Sequence, residues 1–380
     1  MATPTLTNTN LDNATREIWE DTVQKEVIEK DVILSAIMLG NGIDQTRSGG
    51  KYISKSLDYA EFDSLATWYA ETDPLTATDK TYLDRAYVLW KNMHISTHIS
   101  LDEEMDNVQA DSSAKITDLA VDIVAKVQKA MRIKLRNAFY LSYCSGSSVA
   151  TGGGTDGKQI FSVPNALMHG ETSGDMGYSY LGLTRDFSAG TRDWFQGADI
   201  LTDNIKASTA ASAQATAYTA SYDTFQKAFT ACKRQTDDHD ASNYKVVLGP
   251  VLWRAYKAWV KADEVQVNPS KSMRQYGFQT FTMDGVEFVL DDTLTSEAVV
   301  DYKGCTSLTA TTYGPQMWFL MLYLPSWKFY IHKKRSFWMM PTKWQGDIEN
   351  GYDRWLIRGF LRCAAACWQP NANLFHYNMS

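Results

Sequence analysis

The chain has 380 residues, 44% of them apolar and 12% aromatic, enough to fill two or three domains' worth of core. A formal net charge of -7 excludes tight nucleic-acid recognition by the bulk surface, because such binding draws on neutralising phosphates. No apolar run of about eighteen residues or more occurs, and the polar start "MATPTLTNTNLDN" has neither a basic n-region nor an apolar h-region, so nothing in it marks export or a membrane.

From the N-terminus, "NATREIWEDTVQKEVIEKDVIL" (Asn13 to Leu34) reads as an amphipathic helix. Asn13 is its cap, and Ile18, Trp19, Thr22, Val23 and Val27 form one stripe. The "GNG" at Gly40 to Gly42 ends it. The period then changes to two in "KYISKSL" and again in "RAYVLWKNMHISTHIS" (Arg85 to Ser100), where alternation places Tyr87, Leu89, Met93 and Ile95 on one face. Between these runs, Asp58 to Lys80 carries Tyr59, Phe62, Trp68 and Tyr69. The pattern predicts an extended hairpin whose tip is too thin to bury its own aromatics.

The strongest helical signal follows. Asp111 or Ser112 caps a stripe of Ile116, Leu119, Ile123, Val127, Met131 and Leu135 that reaches Tyr140, roughly 42 Å of helix. The Gly- and Ser-rich "SYCSGSSVATGGGTDGK" is a loop by composition, and "IFSVP" after it has strand character. Farther on come loops around "HGETSGDMGYSY", an Ala/Ser/Thr-rich approach and a helix from about Thr224 to Arg234 that buries Phe225, Phe229 and Cys232. The strand "YKVVLG" runs into a helix opened by Pro250, and "FQTFTMDGVEFVLDD" forms a hairpin turning at Asp284-Gly285.

The end of the chain reads as strands: "QMWFLMLYL", "WKFYIHKKRSFWMM" and "RWLIRGFLRCAAACW". In the last of these, Trp355, Ile357, Leu361 and Cys363 alternate with Arg354, Arg358 and Arg362, so one face is buried and the other basic. Charge is uneven along the chain. Trp327 to Arg362 holds eight Lys or Arg against three acids, whereas Met1 to Gly50 holds four against eight, an asymmetry that favours contact between segments or copies.

No motif gives catalysis an address. "GGGTDGKQ" (Gly152 to Gln159) has the Gly-x4-Gly-Lys spacing of a phosphate-binding loop. It lacks the preceding strand, the hydroxyl after Lys158 and the following helix that the chemistry requires. His94 and His98 stand on a strand with no acidic third ligand, so they read as sheet-surface imidazoles. The carboxylates of "DDHDAS" (Asp237 to Ser242) and Asp291-Asp292 fall at element ends, where turn and cap chemistry favours Asp. The five cysteines, Cys144, Cys232, Cys305, Cys363 and Cys367, are odd in number and suit reduced thiols. Cys363 and Cys367 are spaced wrongly for a redox or zinc pair, and no Gly-x-Ser-x-Gly elbow occurs.

The order of these parts resembles a major capsid protein of tailed bacteriophages, of the Hong Kong 97 type. The stretches that carry the likeness are "TREIWEDTVQKEV", "SGGKYI", "RAYVLWKNMHISTHIS", "GTDGKQIFSVPNAL", "YDTFQKAFTACKR", "YKVVLGPVLWRAYKAW", "YGFQTFTMDGVEFVLDD" and "LYLPSWKFYIHKKRSFWMMP". The resemblance implies an α+β, Hong Kong 97-like capsid fold. Its parts are an N-terminal arm (1–46), an extended β-hairpin loop (47–101), a peripheral domain with a spine helix (102–158), an axial α/β domain (159–322), and peripheral-domain strands with a C-terminal tail (323–380).

It further implies self-assembly into pentamers and hexamers of a shell around double-stranded DNA, with no enzyme activity, cofactor or metal. Phe62, Trp68 and Tyr69 would contact neighbouring subunits. Lys333, Lys334 and Arg335 would form a turn or bulge facing water, a neighbouring acidic arm or DNA phosphates, without sequence specificity. Portal, scaffolding and decoration proteins are implied partners; the short arm before Asn13 points to an external scaffold or one removed beforehand. The implied location is the virion, assembled in host cytoplasm. Two other readings remain at this stage: a nanocompartment shell of the same fold, and a hydrolase using carboxylates such as Asp291 and Asp292.

Overall fold

A computed structural model describes residues 28–58, 83–100, 113–140, 157–167, 179–185, 193–195, 197–198, 220–236, 238, 240–258, 273–294, 317–344 and 354–376. In chain order its helices are α1 (Val32–Leu39), α2 (Ser113–Tyr140), α3 (Val163–Leu167), α4 (Tyr222–Lys233) and α5 (Pro250–Lys257). The strands are β1 (Ile43–Asp44), β2 (Tyr52–Asp58), β3 (Leu83–Leu89), β4 (Lys91–Ser100), β5 (Ser179–Tyr180), β6 (Leu183–Thr184) and β7 (Tyr244–Leu248). They continue with β8 (Thr280–Met283), β9 (Val286–Leu290), β10 (Phe319–Tyr323), β11 (Trp327–Ile331), β12 (Trp338–Trp344), β13 (Arg354–Cys367) and β14 (Leu374–His376).

Two sheets hold the architecture. The first is organised by β13, which pairs along one edge with β4 in antiparallel register, from Arg354 opposite Ser100 to Cys363 opposite Lys91. Its other edge is taken by two strands in series, β12 against Trp355 to Phe360 and β11 against Cys363 to Cys367. β1 adds a parallel pair outside β11. The predicted alternation holds: Ile357, Leu361 and Cys363 are buried, while Arg358, Phe360 and Arg362 are half-buried. The second sheet has the order β14-β10-β7-β9-β8, with one parallel pair, β7 with β9. In its core the Lys245 ammonium sits 2.9 Å from the Glu287 carboxylate, which also accepts the Met273 N–H. Removing either partner would strand a buried charge.

The helix α2 spans Ser113 to Tyr140 as the stripe predicts, with Val127, Met131, Leu135 and Phe139 buried at fourfold spacing. The helix α4 begins directly after its cap Ser221, whose hydroxyl accepts the Thr224 N–H at 3.2 Å, and α5 carries Pro250 in its first turn. The β8–β9 hairpin turns at Asp284 and Gly285, both left-handed, with φ of 49° and 80°. That is the pairing a two-residue hairpin turn requires.

Three expectations are corrected. The helix predicted from Asn13 to Leu34 is not continuous in its described part. Residues 29–31 are not helical, and Asp31 starts α1 afresh by accepting the Leu34 N–H at 3.0 Å. The cap wins because "VILSAI" is apolar apart from Ser35, whose hydroxyl donates to the Asp31 carbonyl, and is buried throughout, unlike the amphipathic stretch before it. The run from Arg85 to Ser100 is two strands rather than one. β3 pairs with β2, β4 pairs with β13, and buried Trp90 between them reverses the phase, so Ala86 and Val88 face the core from β3 while Tyr87 and Leu89 do not. Finally, "IFSVP" enters a helix, since Ser162 caps Asn165 at 3.2 Å and Pro164 suits the first turn.

Two short segments join the sheets, residues 324–326 between β10 and β11 and 368–373 between β13 and β14. The last strand lies in the second sheet, within the segment 323–380 expected to hold peripheral-domain strands and a C-terminal tail. One buried amide ties both crossings together. Asn373 Oδ1 accepts the Tyr323 N–H at 2.7 Å and the Trp327 indole N–H at 2.8 Å. Its Nδ2 donates to Ser326 Oγ at 2.9 Å and to the Gln369 carbonyl at 2.8 Å. Each donor left unpaired in the core costs about 1–3 kcal/mol. Asn373→Ala is therefore expected to lower unfolding free energy by about 3 kcal/mol or more in urea titration, and Asn373→Asp, which keeps the acceptor but buries a charge, to give no rescue. A loss below about 1 kcal/mol for both variants would contradict this role.

Candidate functional site

The outward face of the first sheet is the chemically distinctive surface. No Asp or Glu occurs in β4, β11, β12 or β13, in a chain whose net charge is negative. Register places Phe360 of β13 opposite both His94 of β4 and Trp338 of β12. The rings form a row across three strands, with centroids 6.4 Å apart for His94–Phe360 and 5.4 Å for Trp338–Phe360. The guanidinium of Arg335 lies 5.9 Å over Phe360, and that of Arg362 lies 5.7 Å over Trp90. Aromatic faces carrying arginine offer stacking surface and positive charge together.

Lys333, Lys334 and Arg335 are all exposed, in a six-residue bulge between β11 and β12. It bulges because both flanking strands remain paired to β13 while the chain between them has only Leu361 and Arg362 opposite. Main-chain bonds fix it on both sides: His332 N–H to the Arg362 carbonyl at 2.9 Å, Arg362 N–H to the Arg335 carbonyl at 3.1 Å, and Lys333 N–H to the Arg47 carbonyl at 3.0 Å. Phe337 closes it at φ 51°. The basic segment is thus a held protrusion of the sheet.

His332 is the residue that sequence reasoning missed here. Its ring is buried, meets Trp90 edge-on at 5.4 Å and accepts the Lys334 N–H at Nδ1, 3.2 Å away. Burial first, then the Arg362, Arg335 and Lys334 charges, lower its pKa, against a backbone hydrogen bond to Ser48. The neutral ring is what keeps Nδ1 an acceptor. No pattern in "FYIHKKR" distinguishes this histidine, because its partners come from other strands.

The remaining candidates are dispersed. Phe62, Trp68 and Tyr69 lie outside the described residues. The hairpin that carries them is described at its base, where β2 and β3 pair from Tyr52 opposite Leu89 to Asp58 opposite Leu83. That base is part of the subunit's core: Ile53, Leu57, Ala86 and Val88 are buried. The Tyr87 N–H donates to the Leu181 carbonyl at 2.9 Å, and the turn fits so closely that a Cβ on Gly182 would lie 2.2 Å from the Tyr87 ring. His94 and His98 are exposed sheet residues, as expected.

Asp291 departs from the solvated-turn expectation. It is buried, accepts from Thr293 N and Oγ1 at 3.0 and 2.6 Å, and is a partner of the Tyr140 hydroxyl. Burial raises its pKa and pushes that of nearby Asp31 up to about 7. Asp291 is thus engaged inside the core rather than presented at the surface. Asp238 and Asp240 serve the turn before β7 through Asn243 and Ser242. No metal-ligating cluster occurs among the described residues.

No protein-family model and no curated protein matches the chain. Solved structures do. A chain of the cyanophage A-1(L) capsid asymmetric unit superposes with a TM-score of 0.56 over 90% of this chain and 92% of that one, at 11% identity. The chain has the fold of a phage capsid protein. Further matches include the Mycobacterium phage Bobi chain, at TM-score 0.45, 9% identity and 91% and 90% coverage. The capsid of the native GTA particle matches at 0.44, 11%, and 91% of each chain.

Because the folded pKa of His332 is lowered from 6.5, the unfolded chain takes up the proton first as pH falls. Its stabilising contribution is whole above about 6.5 and is lost progressively below it. Replacing His332 by Asn, whose Oδ1 can still accept the Lys334 N–H, removes the titration. The stability difference between wild type and His332→Asn should therefore shift against wild type between roughly pH 7 and pH 5. A difference independent of pH would show that His332 does not titrate with folding.

Proposed function

We propose that the chain is the major capsid protein of a tailed bacteriophage, assembling as pentamers and hexamers into a closed shell around double-stranded DNA. The observation that carries this reading is the superposition on the cyanophage A-1(L) capsid chain across nearly the full length of both chains. In the Hong Kong 97-type arrangement, 1–46 is the N-terminal arm, 47–101 the extended loop, 102–158 and 323–380 the peripheral domain with α2 as spine, and 159–322 the axial domain. The continuous 28-residue α2, the antiparallel β2–β3 pair and the separate β7–β10 sheet support that division. The crossing of β14 back to β10 makes the last residues a brace between the two domains.

Lys333, Lys334 and Arg335 then act as a phosphate- or neighbour-facing protrusion. Contacts of this kind are salt-sensitive and indifferent to sequence, since nothing on the sheet face is shaped to enter a groove. Assembly in host cytoplasm, a virion location, and portal, scaffolding and decoration partners belong to the same reading.

The extended loop supplies the decisive contact in this account. Phe62, Trp68 and Tyr69 can each bury about 150–250 Å² against a neighbour, several kcal/mol per residue at about 25 cal/mol per Å² before association costs. Because Asp58 pairs with Leu83, residues 59–82 can be replaced by Asn-Gly without disturbing register. The shortened protein is expected to keep its circular dichroism and melting transition while regular shells vanish from micrographs. Regular shells from the shortened protein would overturn the role of the loop, and failure to fold would place residues 59–82 in the core.

A further inference from the structure

Register orders the outward face of β4, β13 and β12 into parallel ranks. In the middle rank Phe360 stands between His94 and Trp338, with ring centroids 6.4 and 5.4 Å away. Two residues along β13 in one direction is Arg358, opposite Ser96, and two in the other is Arg362, opposite Asn92. Alternation puts these residues on one face, with an arginine about 7 Å on each side of the aromatic row. The Arg335 carbonyl accepts the Arg362 N–H at 3.1 Å, which sets the basic protrusion beside that arginine. His94 is exposed, and Phe360, Trp338, Arg358 and Arg362 are half-buried, so solvent reaches the array.

Carboxylates do not consume the charge of this face. The strands β4, β12 and β13 contain none, and among the described residues no ion pair engages Arg335, Arg358 or Arg362. Contact with duplex phosphates alone would call for cations and leave the rings without a role, because the bases of a duplex are stacked inside it. Unpaired bases use both. Each has a π-face to lay on an aromatic ring, and the backbone brings a phosphate with every base. Open sheets that carry aromatic residues recognise single strands in this way.

We propose that the outward face of β4, β13 and β12 binds single-stranded nucleic acid without sequence preference, its bases stacked on His94, Phe360 and Trp338 and its phosphates met by Arg358, Arg362 and the protrusion of Lys333, Lys334 and Arg335. Arg335, exposed and 5.9 Å over Phe360, yields its place on the ring to a base and turns to a phosphate. The inference goes beyond the shell reading and does not rest on it. Single strands of DNA and RNA share this chemistry.

The test is fluorescence anisotropy of the full chain with labelled oligothymidylate and oligouridylate of about twenty nucleotides, an abasic strand of the same length and charge, and a duplex, each titrated across a range of salt. Phe360→Leu keeps an apolar side chain and removes the ring, whereas Arg358→Gln removes one charge. Base-bearing strands are expected to bind about tenfold tighter than the abasic strand and the duplex, and Phe360→Leu to abolish that advantage. Arg358→Gln should weaken binding severalfold and lower the salt slope by about 0.7. The tighter of thymidylate and uridylate assigns the strand to DNA or RNA. Circular dichroism checks each variant, and His94→Ala, at an exposed position, repeats the ring test if Phe360→Leu unfolds. The proposal is overturned if the abasic strand or the duplex binds as tightly as the base-bearing strands, or if the folded variants bind like wild type. It is equally overturned if a peptide of residues 13–27, acidic in sequence, binds this face and the single strands do not.

Discussion

The architecture depends on one buried amide. Asn373 is fully buried, and its two heteroatoms bond Tyr323 and Trp327, which flank one crossing, and Ser326 and Gln369 within the two crossings. Around it the Trp368 N–H bonds the Ser326 carbonyl at 2.8 Å, and the Cys367 N–H bonds the Tyr180 hydroxyl at 2.7 Å. Two sheets joined only by apolar packing could slide against each other. A satisfied polar network at the joint specifies one arrangement, because every alternative leaves buried donors unpaired.

From that joint the functional surfaces follow. β13 leaves it as the axis of the first sheet, and its length lets β4 cover one edge and β11 and β12 the other. Two strands in series on one edge force the chain between them outward, which is why Lys333 to Arg335 protrude. The buried His332 and the carbonyls of Arg47, Arg335 and Arg362 hold that protrusion in place. The β2–β3 base is held likewise by Leu181 and by the Lys55 ammonium 5.8 Å over Trp368. In the proposed shell, this combination of a stiff body and firmly rooted projections lets each contact recur in the same geometry.

Much of the fold was legible wherever the signal was local. The 3.6-residue stripe found α2, the Asp-Gly pair found the β8–β9 turn, and Pro250 found the start of α5. The basic outward face of β13 followed from simple alternation. What failed was non-local. The change of sheet at Trp90 is hidden from local alternation, because β3 and β4 each alternate but in opposite phase and with different partners, and the even spacing of apolar residues carries straight through the reversal. Asp31 read as part of a longer helix because its capping role depends on where the preceding helix stops. The bond between Asp291 and Tyr140 joins residues 151 positions apart, and Asn373, in a stretch read as a tail, finds its key partners 46 and 50 residues away. The row of His94, Phe360 and Trp338 needed the register of three strands, which no single segment contains.

The central claim is that this subunit exists to contact copies of itself. Electron cryomicroscopy of the purified full chain, with and without a co-expressed scaffold, tests it most directly. The account predicts closed particles built from fivefold and sixfold rings, with the β2–β3 hairpin of one subunit lying on its neighbour. A monodisperse, stable monomer at high protein concentration under both conditions would contradict it.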